Sequence, residues 1–188
     1  TLKLNFPYLS LKQKLTAEVL LYRLIRGDEE QNEDIAGLRI VESLPKELLP
    51  ARLLVSYQLH NPYWVLGFPS GHPKGISSSG QLLQELPNGW VQLEDTKAQG
   101  LAILPGFSGT PVWDERSSEV VGMVIAREKD QPEAKIGFMV PARALMAVQI
   151  KLLRQNLFHP LCPQTSFPTK LSEKSSPKIL VTFALVML

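Results

Sequence analysis

The fold class is decided by residues 111–126, which read PVWDERSSEVVGMVIA. Two runs rich in β-branched and apolar residues, 111–113 and 119–126, flank a polar turn at 114–118. Short apolar runs separated by turn residues are typical of antiparallel strands. The stretch therefore predicts a β-hairpin.

The same pattern continues on both sides of this hairpin. Residues 136–140 form another strand-like run downstream. Upstream, the turn signal Pro87-Asn88-Gly89 stands next to the strand-like run 90–93, which predicts a second hairpin. Proline-punctuated runs at 53–55 and 64–67 are too short for helices and predict further short strands.

The first forty residues also favour strands. Leucine and phenylalanine alternate with polar residues over 2–6, the period of a half-buried strand. A polar, acidic loop at 27–33 separates two further predicted strands, 16–25 and 35–40. Many short strands at turn-punctuated intervals predict an all-β barrel or sandwich.

Two segments follow the predicted strands. Pro141 precedes residues 142–157, which have high helix propensity and predict one closing helix. Residues 158–178 are rich in Pro, Ser, Thr and Lys and cannot bury enough apolar surface to order themselves, so 158–188 is interpreted as a flexible tail or linker.

The composition and charge of the chain limit the classes of function that it can have. The chain has 188 residues, 44% hydrophobic and 20% charged, which fits one globular domain or two small subdomains sharing a core. Its net charge of +2 is uneven, because residues 143–188 hold six Lys or Arg against one acid. The folded part is thus slightly acidic and lacks a basic stripe, which argues against nucleic acid as a partner.

Other classes of protein are disfavoured as well. Cys162 is the single cysteine, so no internal disulfide forms. The sequence has no Cys or His residues at the spacing of metal ligands, and we predict no metal or other cofactor. The apolar end at 179–188 is far shorter than the ~20 residues that span a bilayer, so no membrane is predicted as a partner. Whether that end contacts a partner or forms a stray strand stays open. The start at Thr1 lacks the features of a signal peptide and suggests a chain that begins inside a domain.

The strongest chemical signal is residues 106–111, which read GFSGTP. A serine hydroxyl becomes a useful nucleophile when a base takes its proton and nearby donors receive the oxyanion that forms. Flanking glycines allow the tight turn that aims such a hydroxyl outward. The alternative is an ordinary turn serine between glycines. The G-x-S-x-G spacing of α/β-hydrolases is absent.

Residues 106–112, GFSGTPV, resemble the G-x-S-G-x-P-V signature of chymotrypsin-fold serine peptidases, particularly bacterial intracellular trypsin-like domains. Four other segments agree with that family in order and rough spacing. They are 32–38, similar to the D-I-A-x-L strand with the triad aspartate; 65–69, similar to the V-x-G-F-P turn; 120–124, similar to the strand bordering the specificity pocket; and 137–142, similar to the segment before the final helix.

The resemblance implies roles for particular residues. Ser108 would be the nucleophile, and the amides of Gly106 and Ser108 would form the oxyanion hole. Asp34 would orient a histidine, and Ala102 and Met123 would line the specificity pocket. An alanine at the pocket floor favours small or apolar side chains over basic ones.

The resemblance also implies the fold and the biological setting. It implies a double β-barrel, with residues 1–60 as an incomplete first barrel and residues 61–141 as the second. The function would be hydrolysis of peptide bonds in a polypeptide substrate through an acyl-enzyme. The location would be the cytoplasm, and further domains of a longer protein would be expected.

Two features depart from the family pattern. Phe107 stands where secreted relatives have an aspartate that binds a new N-terminus, so activation by N-terminal cleavage is not expected. The family also has a T-x-x-H histidine upstream of the aspartate, whereas His60, His72 and His159 all follow Asp34. We therefore expect a weak or inactive enzyme, with a non-catalytic peptide- or protein-binding module and a plain structural β domain as alternatives.

Three tryptophans raise a separate question, because a set of exposed indole rings could stack on a ligand. Each adjoins a strand-like run, and aromatic residues in strands usually fill the core. We predict core positions for Trp64, Trp90 and Trp113.

Overall fold

A computed structural model describes residues 1–6, 14–24, 34–43, 50–95, 101–127 and 134–147. These residues form nine strands and one helical turn at 142–147. The strands are β1 Leu2–Leu4, β2 Leu15–Leu24, β3 Asp34–Ile40, β4 Pro62–Gly67, β5 Ile76–Glu85, β6 Val91–Glu94, β7 Pro111–Asp114, β8 Glu119–Arg127 and β9 Ile136–Pro141. The predicted all-β barrel class is confirmed.

Strands β4 to β9 close into a six-stranded antiparallel barrel in the order β4-β5-β6-β9-β8-β7. Both predicted hairpins are present, since β5 pairs with β6 and β7 pairs with β8. Inward-facing side chains from every strand fill the interior, which is the larger core cluster of the described residues. Its buried members are Tyr63, Val65, Leu82, Val91, Leu93, Ile103, Phe107, Val112, Val121, Val124 and Met139.

Strands β1, β2 and β3 form a separate antiparallel sheet in that order. Side chains along its strands alternate between an inner and an outer face. Leu15 and Ala17 are buried on the inner face, whereas Lys3 is exposed. On the other face Arg39 forms an ion pair with Glu18, its direct cross-strand neighbour, with 2.6 Å between Nη2 and Oε2.

A second core cluster joins this sheet to the barrel. It consists of Ile35 from β3, Met123 from β8, Val140 from β9 and Leu145 from the helical turn. Each is no more than 2% exposed. The start of β3 is therefore packed against the part of β8 that borders the Ser108 loop.

The predicted strand at 53–55 is wrong. Leu53 forms only an isolated parallel bridge with Val120, and the Leu54 amide donates to the Val120 carbonyl at 2.8 Å. This short pairing extends over too few residues to make a strand. Of the predicted helix at 142–157, residues 142–147 are helical, and the rest lies outside the described residues.

The prediction that all three tryptophans lie in the core is also wrong. Trp64 on β4 is 38% exposed and stacks on Trp113, its cross-strand neighbour on β7, with ring centroids 5.6 Å apart. Both face away from the barrel interior because their neighbours Tyr63 and Val112 face inward. Trp90, by contrast, packs against the second core cluster.

Candidate active site

Ser108 lies in the loop that leads into β7, and two tight turns fix the backbone around it. The Phe107 amide donates to the Leu104 carbonyl at 3.1 Å, and the Thr110 amide donates to the Phe107 carbonyl at 3.0 Å. The Thr110 hydroxyl donates to the same carbonyl at 2.7 Å. Gly106 and Gly109 have φ of 102° and 83°, which L-residues rarely adopt.

Phe107 anchors this loop in the barrel. Its side chain is fully buried in the larger core cluster. The ring lies so close to Gly67 that a Cβ there would stand 2.5 Å from two ring carbons. Burial of the residue before Ser108 holds the turn firmly against the barrel interior.

The segment after β4 packs directly against the same loop. The Phe68 amide donates to the Gly106 carbonyl at 3.0 Å. A Cβ on Gly106 would stand 2.6 Å from Cα of Pro69, so only glycine fits. The structure thus brings together two of the segments on which the family resemblance was based, 65–69 and 106–112.

Ser108 itself is half-buried and faces β8. Its Oγ donates to the Ile125 carbonyl at 3.4 Å, a long and weak hydrogen bond. The adjacent Gly109 amide donates to the Val124 carbonyl at 2.7 Å. The hydroxyl therefore donates to a backbone carbonyl and has no base as its partner among the described residues.

Two amide groups at this turn matter for chemistry. Among the described residues, no acceptor receives a hydrogen bond from the N–H of Gly106 or of Ser108. Gly106 is exposed and Ser108 is half-buried, so both amides are open to water or to a ligand. Such donors at a serine turn are what an oxyanion requires.

Asp34 is the first residue of β3, where its backbone pairs with Leu24. Its side chain lies outside the part of the chain that the structure describes. The next residue, Ile35, packs in the same cluster as Met123, two positions before Ile125. The start of β3 thus packs on β8, the strand whose Ile125 carbonyl accepts the Ser108 hydroxyl bond, and the role of Asp34 as the orienting carboxylate remains a prediction.

The histidines in the described ranges do not bond to Ser108. His60 is exposed, with φ of 65°, and its amide donates to the Leu82 carbonyl at 2.6 Å. His72 is exposed, and its Nδ1 lies 3.3 Å from the Ser70 carbonyl. His159 falls outside the described residues. No general base for Ser108 is found within the described ranges.

The predicted pocket residues occupy different environments. Ala102 is half-buried in the loop before Ser108, next to Ile103, which is in the barrel core. Met123 is 2% exposed and packs between the barrel and β3 in the second core cluster. Their roles in specificity remain predictions.

Sequence reasoning missed Phe68 as part of the site. It is 42% exposed although its amide is bonded to the Ser108 loop. The sequence of 65–69 indicates only a turn, and strand periodicity does not predict the exposure of a phenylalanine that follows a strand.

Comparison with protein-family models finds no match to this chain, and comparison with curated proteins finds no significantly similar sequence. The described residues contain no group of three or more His, Cys, Asp or Glu side chains placed to hold a metal ion. No helix within the described ranges has the length and apolar character needed to cross a membrane.

Proposed function

We propose that the chain is a serine-type endopeptidase domain of the trypsin-like class, with Ser108 as the nucleophile. The observation that carries this proposal is the glycine turn at 106–109. It holds a half-buried serine hydroxyl next to two amide donors, of Gly106 and Ser108, that no described residue engages.

The reaction would proceed through an ester on Ser108. A base takes the hydroxyl proton while Oγ attacks the carbonyl carbon, and the resulting oxyanion accepts hydrogen bonds from the two amides. The C–N bond then breaks, the proton passes to the departing amine, and water hydrolyses the ester. A chain without the base would be weak or inactive, because loss of one triad member lowers the rate by a factor on the order of 10⁴ to 10⁶.

The remaining parts of the proposal rest on the resemblance to that family. The β1–β3 sheet would belong to an incomplete first barrel, and the closed barrel would be the second. Asp34 would orient a histidine, and Ala102 and Met123 would define a pocket for small or apolar side chains. The substrate would be a polypeptide in the cytoplasm.

The test is covalent labelling with a fluorophosphonate, which reacts with activated serines. We expect slow labelling of the chain that imidazole accelerates, because free imidazole can replace a missing base. Ser108→Ala should abolish the label, whereas Ser70→Ala, which changes an exposed serine in the loop after β4, should leave it unchanged. Equal labelling of the Ser108→Ala variant would exclude Ser108 as the nucleophile.

A non-catalytic binding module is the second candidate. It is favoured by one observation, the hydrogen bond from Ser108 Oγ to a backbone carbonyl in place of a base. Such a module would bind peptides and would show no labelling of Ser108 with or without imidazole.

A further inference from the structure

A row of apolar side chains runs along the outer face of β4 and includes Phe68, the first residue after the strand, which is bonded to the Ser108 loop. Trp64 and Phe68 are 38% and 42% exposed, and Leu66 between them is half-buried. A Cβ on Gly75 would stand 3.0 Å from Phe68 Cε1 and 3.3 Å from Leu66 Cδ1, so these two side chains border the same point. We call Trp64, Leu66 and Phe68 the β4 strip.

The cross-strand neighbours of the strip carry no charge. Leu66 pairs with Ser77 and Trp64 pairs with Ser79 on β5, while Trp113 on β7 stacks on Trp64. Directly opposed residues of antiparallel strands share a face. This surface therefore favours apolar over charged side chains.

The strip is continuous with the proposed reaction centre. Its Phe68 end donates an amide hydrogen bond to the Gly106 carbonyl at 3.0 Å. The Phe68 carbonyl oxygen would stand 2.9 Å from a Cβ on Gly106, the residue whose amide would help to bind the oxyanion. Phe68 therefore lies beside Gly106, two residues before Ser108 in the same turn.

We infer that the β4 strip binds apolar side chains of an extended polypeptide, with Phe68 as a specificity-determining residue next to the scissile bond. The inference rests on the proposed function and adds a second apolar subsite to the one expected at Ala102. An extended peptide places alternate side chains about 6.6 Å apart on one face. The side chains of alternate residues in β4 have the same spacing, so two apolar residues of the peptide can contact two members of the strip.

The experiment measures binding of two blocked hexapeptides to the Ser108→Ala variant, which cannot cleave them. One peptide has leucine at alternate positions, and the other has lysine there. We expect the leucine peptide to bind more tightly, and the added substitution Phe68→Ser to weaken its binding by about tenfold. The matched control is Val19→Ser, which removes another exposed apolar side chain, 49% exposed, from β2.

Each outcome decides the inference. Tighter binding of the leucine peptide that depends on Phe68 supports it. The inference is contradicted if the two peptides bind equally well, if Phe68→Ser leaves the binding of the leucine peptide unchanged, or if neither peptide binds. Analytical ultracentrifugation gives a further test. If the chain is a dimer and the Phe68→Ser variant is a monomer, the strip contacts a second copy of the chain and the inference is contradicted. If Ser108 is not labelled but peptide binding still depends on Phe68, only the proposed peptidase activity is contradicted.

Discussion

The ring of Phe107 lies directly on Gly67. This contact joins the wall of the barrel to the loop that presents Ser108. A Cβ on Gly67 would stand 2.5 Å from two carbons of that ring. Phe107 itself is fully buried. The position of Ser108 therefore depends on Gly67, a glycine 41 residues earlier in the chain.

Gly67→Ala tests this relationship. The added methyl overlaps the Phe107 ring, and a tightly packed core cannot make room for it without strain. We expect the free energy of unfolding in urea to fall by about 2 to 3 kcal/mol, with loss of Ser108 labelling. Adding Phe107→Leu should restore part of the stability, and additive losses in the double variant would contradict the direct contact.

Asp114→Ala tests the turn that joins β7 to β8. Asp114 is 1% exposed, and its carboxylate accepts from Asn61 Nδ2 at 2.7 Å and from the amides of Arg116 and Ser117 at 2.8 and 3.0 Å. Removal leaves these donors without their acceptor and should lower the free energy of unfolding by about 3 kcal/mol. The exposed neighbour Glu115 is the control, and Glu115→Ala should change it by less than about 0.5 kcal/mol.

Glu42 should titrate below the ordinary range of glutamate. Hydrogen bonds with the side chain and the backbone amide of Thr16 lower the pKa of Glu42 below its usual 4.5. The folded state thus favours the ionised carboxylate, so its contribution to stability is present above the usual pKa and is lost as the pH falls through the lowered one. Carbon NMR titration should show this lowered pKa and its rise in Thr16→Ala. An unchanged pKa in that variant would contradict the hydrogen-bonded arrangement.

The stack of Trp64 on Trp113 should be visible in solution. Their rings are nearly parallel, 7° apart, with centroids at 5.6 Å. We expect an exciton couplet in circular dichroism that disappears in Trp64→Ala, together with a loss of about 1 kcal/mol in unfolding free energy. Trp90→Phe should retain the couplet, and a couplet that survives in Trp64→Ala would contradict the stacked geometry.

Local patterns in the sequence predicted much of the fold. Alternation identified β1, and the turn at Pro87-Asn88-Gly89 identified the hairpin of β5 and β6, because both signals come from neighbouring residues. The strand predicted at 53–55 is wrong because Leu54 packs on the barrel core and Val55 is 44% exposed, while only Leu53 forms a bridge to a strand.

The candidate site was predicted less completely. The glycines around Ser108 signalled its tight turn. The exposure of Trp64 and Phe68 could not be predicted, because strand periodicity shows that residues alternate but not which face meets the core. The contact between Phe68 and Gly106 joins residues distant in the chain and has no local signal.

We propose that Ser108 is a nucleophile held beside the amides of Gly106 and Ser108, which no described residue engages. The most direct measurement is the rate of fluorophosphonate labelling with and without imidazole, with the modified residue located by peptide mass spectrometry. We expect slow labelling at Ser108 that imidazole accelerates and Ser108→Ala abolishes. Labelling at another residue, or none with imidazole present in the folded chain, would contradict the claim.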